Sequence, residues 1–184
     1  GMEPAVKPAA ETTHSGVVGV LATPATFQGE LYASVVVRFA AGVTVLQDTC
    51  PGLVAQIEAG DLDGSETRAI LERAIAPMVA RGMDALVLGC THYPFVRPLV
   101  EQIAGSGVRI IDPAPAVARQ VERILCAEPR TARPASTPAR YFTTGPVPPF
   151  QTLLPRLLDG CCGSYPRVEQ AAWSGGESGP FTIA

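Results

Sequence analysis

The sequence predicts an α/β fold built on an open, mainly parallel sheet flanked by helices. Short runs rich in Val, Leu and Ile alternate along the chain with longer segments whose apolar residues recur every three or four positions. The short runs are apolar throughout rather than alternating with polar residues, as expected of strands that are covered on both faces. The connections between these segments are short, which favours the alternating α/β arrangement over separate helical and sheet regions.

The expected elements follow one another closely along the first two thirds of the chain. The strand runs are residues 16–22, 43–46, 85–88 and 108–111. The helical segments are residues 27–40, 53–59, 67–81, 98–105 and 115–125. In the first helical segment Leu31, Val35 and Phe39 share one face, and residues 67–81 carry a wide apolar stripe. Ser65 is expected to be the N-cap of the helix at 67–81, and Gly82 to end it.

The last third of the chain is less regular. Residues 127–139 are rich in Pro, Arg, Thr and Ser, which is typical of a linker or surface loop. A strand is expected at 141–144, a helix at 150–158 and a short edge strand at 167–169, followed by a mobile Gly/Ser-rich tail at 174–180. The segment after residue 139 is too short to build a core of its own, so it is expected to pack against something else.

The composition fits a globular protein and excludes several function classes. The chain has 184 residues, of which 47% are hydrophobic and 17% charged, and its net charge is −3. It has no run of Lys or Arg that would mark a nucleic-acid or anionic-membrane surface. No apolar run approaches the roughly 20 residues of a membrane helix, and residues 1–10 lack a signal-peptide pattern. A cytoplasmic location is therefore expected.

The cysteines predict reduced thiols. The chain contains five: Cys50, Cys90, Cys126, Cys161 and Cys162. An odd number without framework spacing argues for a reducing compartment. Cys50 and Cys126 are interpreted as small buried hydrophobes. The adjacent cysteines at 161–162 could indicate a metal or redox site. However, the sequence has no C-x-x-C motif and only two histidines, so no metal site is expected.

The loop at residues 89–93 is the strongest candidate for chemistry. It directly follows the strand expected at 85–88, and the turn at 23–26 follows the strand at 16–22; ligands of parallel sheets bind beyond such strand ends. Cys90 supplies a thiol, and His92 is the only nearby side chain that exchanges a proton near pH 7. Two interpretations stay open at this point: a catalytic thiol–imidazole pair, or a structural cysteine beside a histidine that makes a local hydrogen bond.

A family resemblance decides between them. Gly-Cys-Thr-His-Tyr-Pro at residues 89–94 resembles the second cysteine motif of glutamate racemases, which make D-glutamate for bacterial peptidoglycan. Residues 19–32, 50–60, 111–119 and 141–145 resemble further segments of that family in the same order. Residues 4–9 resemble its linker between two halves. The resemblance covers residues 3–170.

The resemblance implies a mechanism without pyridoxal phosphate, metal or other cofactor. Members of the family have two α/β domains that face each other across a cleft, and each contributes one cysteine. One cysteine removes the α-proton of glutamate and the other returns a proton to the opposite face. The residues that the resemblance marks as catalytic are Cys90, which serves the L-glutamate face, His92 and Glu58, whose carboxylate tunes His92. Those that it marks as substrate-binding are Thr23, Thr26 and Thr91.

One half of the family pattern does not occur in this sequence. The Asp-Ser-Gly, Pro-Tyr-Gly and Cys-Asn-Thr-Ala motifs of the N-terminal half are missing, and no other cysteine here has a matching context. The chain is therefore expected to be a truncated form: an isolated fragment, a reading frame begun late or a degenerate copy. Residues 12–112 are interpreted as the substrate domain, and residues 113–184 as the helix, linker and strand segment of the absent first domain.

The leading hypothesis is thus that this chain carries one of the two half-sites of a glutamate racemase and does not racemise glutamate by itself. A second hypothesis is a non-catalytic module that binds glutamate or a partner, with self-association through the face left by the absent domain. A third is another cysteine-dependent racemase or a cysteine hydrolase. His92 argues against an aspartate racemase, because the matching position of those enzymes is usually acidic.

Overall fold

The computed structural model describes residues 5–127, 139–158, 167–173 and 181–183. The chain divides into two compact units, Gly1–Arg130 and Thr131–Ala184. The sequence was interpreted with a division after residue 112. The assignment of residues 113–184 to a domain outside this chain stays a prediction.

The first unit is built on a four-stranded sheet in which every neighbouring pair is parallel. Its strands are β1 (Val17–Leu21), β2 (Thr44–Asp48), β3 (Ala85–Leu88) and β4 (Arg109–Ile111). They lie in the order β2-β1-β3-β4. All four residues of β3 are buried, as the apolar runs predict for strands covered on both faces. The predicted fold class is confirmed.

Helices cover both faces of this sheet. The helices of this unit are α1 (Val6–Thr12), α2 (Pro24–Phe27), α3 (Glu30–Phe39), α4 (Leu53–Glu58), α5 (Ser65–Ala80), α6 (Arg97–Ala104) and α7 (Ala114–Ala127). One core cluster joins α4, α5 and α6 to the sheet and includes Ile75 of α5 and Leu21 of β1. The other includes Val6 of α1, Val35 of α3 and Val20 of β1. Side chains on opposite faces of β1 thus enter separate cores, as the period of two in a strand requires.

The strand order puts a topological switch point between β1 and β3. The chain passes from β1 to β2 on one side and later enters β3 on the other, so β1 is hydrogen-bonded to both. The helices that follow β1 and β3 therefore pack on opposite faces of the sheet, and open parallel sheets bind ligands at such a point. Leu21 and Leu88, the last residues of these two strands, are register partners. The two predicted loops consequently begin side by side.

Several local predictions were wrong, each for an identifiable reason. The segment at 4–9 resembles the family's linker, and that correspondence stays a prediction; within it α1 begins at Val6 and buries that side chain completely. The turn at 23–26 is largely the short helix α2. Ser65 is the first residue of α5 rather than its cap; Gly64 is the N-cap, and its N–H donates to the Asp61 carboxylate over 2.7 Å.

Cys126 was also predicted wrongly. It was interpreted as a buried residue, yet it is exposed on α7, a helix without a buried residue. Cys50 is buried as predicted, with 2% of its surface exposed. Cys161 and Cys162, and the tail at 174–180, lie outside the described residues.

The second unit contains a small mixed sheet and one helix. Its elements are β5 (Tyr141–Thr143), α8 (Val147–Leu157), β6 (Val168–Trp173) and β7 (Phe181–Ile183). Strand β6 pairs with β5 in parallel and with β7 in antiparallel orientation. The predicted edge strand at 167–169 is therefore longer than expected and central in this sheet, because β7 was not predicted.

Among the residues that the structure describes, no helix is both long enough and apolar enough to cross a membrane.

Candidate active site

The loop that carries Cys90 begins at a close approach between two strands. The N–H of Gly89 donates to the carbonyl of Leu21 over 2.7 Å, which extends the pairing of β3 with β1 by one residue. A Cβ atom at position 89 would lie 2.9 Å from both that oxygen and the Cβ of Ala22. Glycine is required here because any side chain would push the strand ends apart. Cys90 therefore lies two residues beyond the carboxyl end of β3.

Three of the predicted site residues form a chain of polar contacts. The Cys90 Sγ lies 3.8 Å from Nδ1 of His92. The other ring nitrogen of His92, Nε2, lies 3.2 Å from Oε1 of Glu58, the last residue of α4. Cys90 and His92 are half-buried, whereas Glu58 is exposed. The structure thus brings Glu58 into contact with His92, which lies 34 positions further along the sequence.

This arrangement can hold or move one proton. When Nε2 donates its hydrogen to Glu58, the neutral ring presents Nδ1 as an acceptor for the Cys90 thiol. When the ring is protonated, Nδ1 donates instead and stabilises the thiolate. A carboxylate at this distance favours the tautomer that carries hydrogen on Nε2, which leaves Nδ1 as an acceptor facing sulfur. With 64% of its side chain exposed, Glu58 orients the ring but adds little to stability.

Tyr93 fixes the far end of the loop. Its side chain is fully buried, and its hydroxyl donates to the carbonyl of Thr49 over 3.2 Å. Burial raises the pKa of this phenol, and negative charge on Cys50, Cys90 or Asp48 raises it further. Tyr93 therefore stays a neutral donor that ties the Cys90 loop to the segment after β2. No sequence pattern marks Tyr93 for this role, since its contact with Thr49 arises only from the fold.

Cys50 is a second thiol beside the site, and it has a different character. Its backbone has a φ of 44°, which is uncommon for a residue other than glycine. Its N–H donates to Oδ1 of Asp48 over 2.7 Å, so the turn after β2 is held by a side chain. Burial and the nearby Asp48 carboxylate raise the pKa of Cys50 to about 12. Cys50 is a neutral thiol in the core cluster against which Cys90 packs.

The threonines after β1 lie beside the same strand end. Thr23 is the N-cap of α2, and its Oγ1 lies 3.2 Å from Oγ1 of Thr26. Both side chains are half-buried, whereas Thr91 is exposed between Cys90 and His92. The hydroxyls of Thr23 and Thr26 thus lie together after the end of β1, the strand that pairs with β3. Each of them can donate or accept a hydrogen bond.

No set of three or more metal-binding side chains occurs within residues 5–127, 139–158, 167–173 and 181–183. The polar groups of the site are a thiol, an imidazole, a carboxylate and hydroxyls. These are groups suited to acid–base chemistry and to hydrogen bonding of a small polar ligand.

The fold and the loop define a class: an α/β protein with a thiol–imidazole pair at the switch point of a parallel sheet. Comparison with known proteins identifies the family. A sequence profile described as Asp/Glu/hydantoin racemase matches residues 1–121. The chain belongs to this family.

Similar proteins are glutamate racemases that are longer than this chain. The chain is 48% identical over 156 residues to the glutamate racemase of Pseudomonas aeruginosa, covering 85% of this chain and 59% of the relative. It is 47% identical over 158 residues to that of Ectopseudomonas mendocina, with 86% and 60% covered. The chain thus spans about three fifths of the length of these relatives.

Solved structures agree with the sequence relatives. The chain resembles the Escherichia coli glutamate racemase bound to L-glutamate and the activator UDP-MurNAc-Ala, with a TM-score of 0.79, 29% identity and 95% and 65% of the two chains covered. It also resembles a glutamate racemase isoform from Bacillus anthracis, with a TM-score of 0.75, 27% identity and 93% and 63% covered.

Proposed function

We propose that this chain provides one half-site for the cofactor-independent interconversion of L- and D-glutamate, in which Cys90 is the acid/base for one face of the α-carbon. The observation that carries the proposal is the chain of contacts from Cys90 to His92 to Glu58 at the carboxyl end of β3. Its position in a family whose similar members are glutamate racemases supports glutamate as the substrate. The product would supply peptidoglycan synthesis in the cytoplasm.

The chemistry follows from the proton positions. The Cys90 thiolate takes the α-hydrogen of glutamate, so the C–H bond breaks, the S–H bond forms and the electron pair stays on the α-carbon. His92 favours the thiolate before this step by accepting the thiol proton or by donating to sulfur. Thr23, Thr26 and Thr91 would hold the substrate by hydrogen bonds. Inversion requires a second acid on the opposite face.

A single base on one face gives exchange without inversion. A thiol that has taken the α-hydrogen exchanges it with solvent and returns a new proton to the same face. We therefore expect this chain, incubated with L-glutamate in D2O, to produce α-deuterated L-glutamate and negligible D-glutamate. Chiral chromatography with mass spectrometry measures both products.

Two variants make the experiment specific. Cys90→Ala should abolish the exchange, whereas Cys126→Ala, which removes an exposed thiol on α7, should leave it unchanged. Accumulation of D-glutamate as fast as deuterium enters L-glutamate would contradict the half-site. Binding of glutamate without any exchange would favour the non-catalytic binding module instead.

A further inference from the structure

The outer edge of the sheet, formed by β2, has open hydrogen-bonding capacity. Within the described part of the chain, β2 pairs with β1 alone. The N–H of Thr44 and the carbonyl of Asp48 bond to the β1 side over 2.8 and 3.2 Å. In a parallel ladder such residues alternate with residues whose backbone groups point the other way. The N–H and C=O groups of Val45 and Gln47 therefore face away from β1.

A groove of about 410 Å³ runs along this edge, between residues 45–48 of β2 and the outer face of α5. The helix contributes Arg73 and Pro77, and Arg81 follows its last residue. Between the arginines the floor is apolar, with the buried side chains of Leu46 and Met78. This volume lies within the range of about 300–1,000 Å³ found for ligand sites.

The groove carries two cationic side chains without carboxylate partners. Arg73 and Arg81 are both exposed, and neither forms an ion pair with another residue that the structure describes. Asp48 also lines the groove, but its Oδ1 accepts the N–H of Cys50. At about 1.5 Å per helical residue, the two arginine backbones lie on the order of 12 Å apart along the helix. The groove thus combines an apolar floor at Leu46 and Met78 with two positively charged side chains on the helix side.

We propose that this groove binds an extended acidic peptide of a partner protein, which adds to β2 as a further strand. Alternate residues of a strand lie on one face at a spacing of roughly 6.6 Å, so residues i and i+4 are about 13 Å apart. That spacing matches Arg73 and Arg81. The peptide therefore has an acidic residue at each of these positions and an apolar residue at i+2, which contacts Pro77.

The backbone of the edge and the arginines contribute separately to recognition. The outward groups of Val45 and Gln47 give the main-chain hydrogen bonds of strand addition, which do not depend on the peptide's side chains. Arg73 and Arg81 select acidic residues through charge-assisted hydrogen bonds. The inference is independent of the proposed racemase activity, because it uses neither Cys90 nor its neighbours.

Fluorescence anisotropy with a labelled peptide of sequence Asp-Thr-Val-Thr-Glu tests the proposal. Binding should saturate and should weaken by about tenfold or more in the double variant Arg73→Gln, Arg81→Gln, because two charge-assisted contacts are lost. Arg109→Gln, on the opposite edge strand β4, is the matched control and should bind like the unmodified chain. A peptide N-methylated at the backbone positions that face β2 keeps its charges and should lose binding.

Three outcomes would overturn the proposal. In the first outcome the N-methylated peptide binds as tightly as the unmodified peptide, which would show electrostatic attraction without strand addition. The arginine variants bind unchanged, which would place the peptide elsewhere. In the third outcome the peptide fails to bind, and sedimentation shows a dimer that the substitution Val45→Pro dissociates. The occupant would then be a second copy of this chain. Val45→Pro is suitable for this test because proline is tolerated at an edge position whose N–H faces outward.

Discussion

Asp84 joins the start of β3 to the turn that precedes β1, and replacing it should cost stability in a pH-dependent way. Its Oδ1 accepts the hydroxyl of Thr13 over 2.5 Å. Its Oδ2 accepts the N–H groups of His14 and Ser15 over 2.6 and 2.8 Å. Burial raises the pKa of this carboxyl, but these hydrogen bonds outweigh burial and lower it from 3.8 to about 2.

The magnitude follows from the difference in proton affinity between the folded and unfolded chain. A drop from 3.8 to about 2 corresponds to about 2.4 kcal/mol at 1.36 kcal/mol per pKa unit. Asp84 is partly open to water, so screening reduces the contribution to on the order of 1 kcal/mol. Because the folded pKa is the lower one, this stability is fully present above about pH 5 and is lost as the pH falls toward 2.

Asp84→Asn should therefore unfold in urea with a free energy about 1 kcal/mol lower than the unmodified chain at pH 7. The difference between the two proteins should shrink steadily between pH 5 and pH 2. Circular dichroism measured at several pH values gives both free energies, and Asp63→Asn, at an exposed position, is the control. A difference that stays constant over this range would refute the reasoning, because it would show that the charge of Asp84 plays no part.

Two further predictions concern the site and its cysteines. Gly89→Ala should lower the free energy of unfolding in urea by about 1–3 kcal/mol, because the added Cβ would be overpacked against Leu21. The control is Gly107→Ala, where a Cβ meets nothing within 4 Å and stability should change by less than about 0.5 kcal/mol. Equal effects of the two substitutions would contradict the close approach at position 89. After treatment with iodoacetamide at pH 8, mass spectrometry should show that Cys126 is modified and Cys50 is not. Cys50 is protected because it is buried and its pKa is raised to about 12, whereas Cys126 is exposed. Rapid modification of Cys50 in the folded chain would contradict its burial.

The parallel sheet was predictable because its strands have an unambiguous pattern. The runs that became β1 and β3 are continuously apolar, and a strand covered on both faces needs that composition. Once those strands are placed, the loops at their carboxyl ends follow, and with them Thr23, Thr26, Cys90 and His92. Sequence order alone thus located most of the candidate site.

The remaining features depend on contacts that periodicity does not encode. Residues 4–9 contain Pro8 and resemble a linker, yet Val6 is buried in the core cluster that contains Val35 of α3. Val117 and Val121 lie four residues apart on α7, yet both side chains are at least 40% exposed. The bond between Tyr93 and Thr49 joins residues 44 positions apart, and no local signal predicts it.

The two thiols beside the loop explain why the candidate acid/base group is Cys90 rather than Cys50. Both belong to the same packed region, but Cys50 is enclosed and faces the negative charge of Asp48, so the thiolate form is strongly disfavoured. Cys90 is half-buried and lies 3.8 Å from a ring nitrogen that can accept or donate a proton. A thiol that must lose and regain a proton needs such a partner and a path to the ligand, whereas a thiol that packs a turn needs neither. These surroundings agree with the interpretation of Cys50 as a buried packing residue, and they support the proposal that Cys90 is the acid/base group.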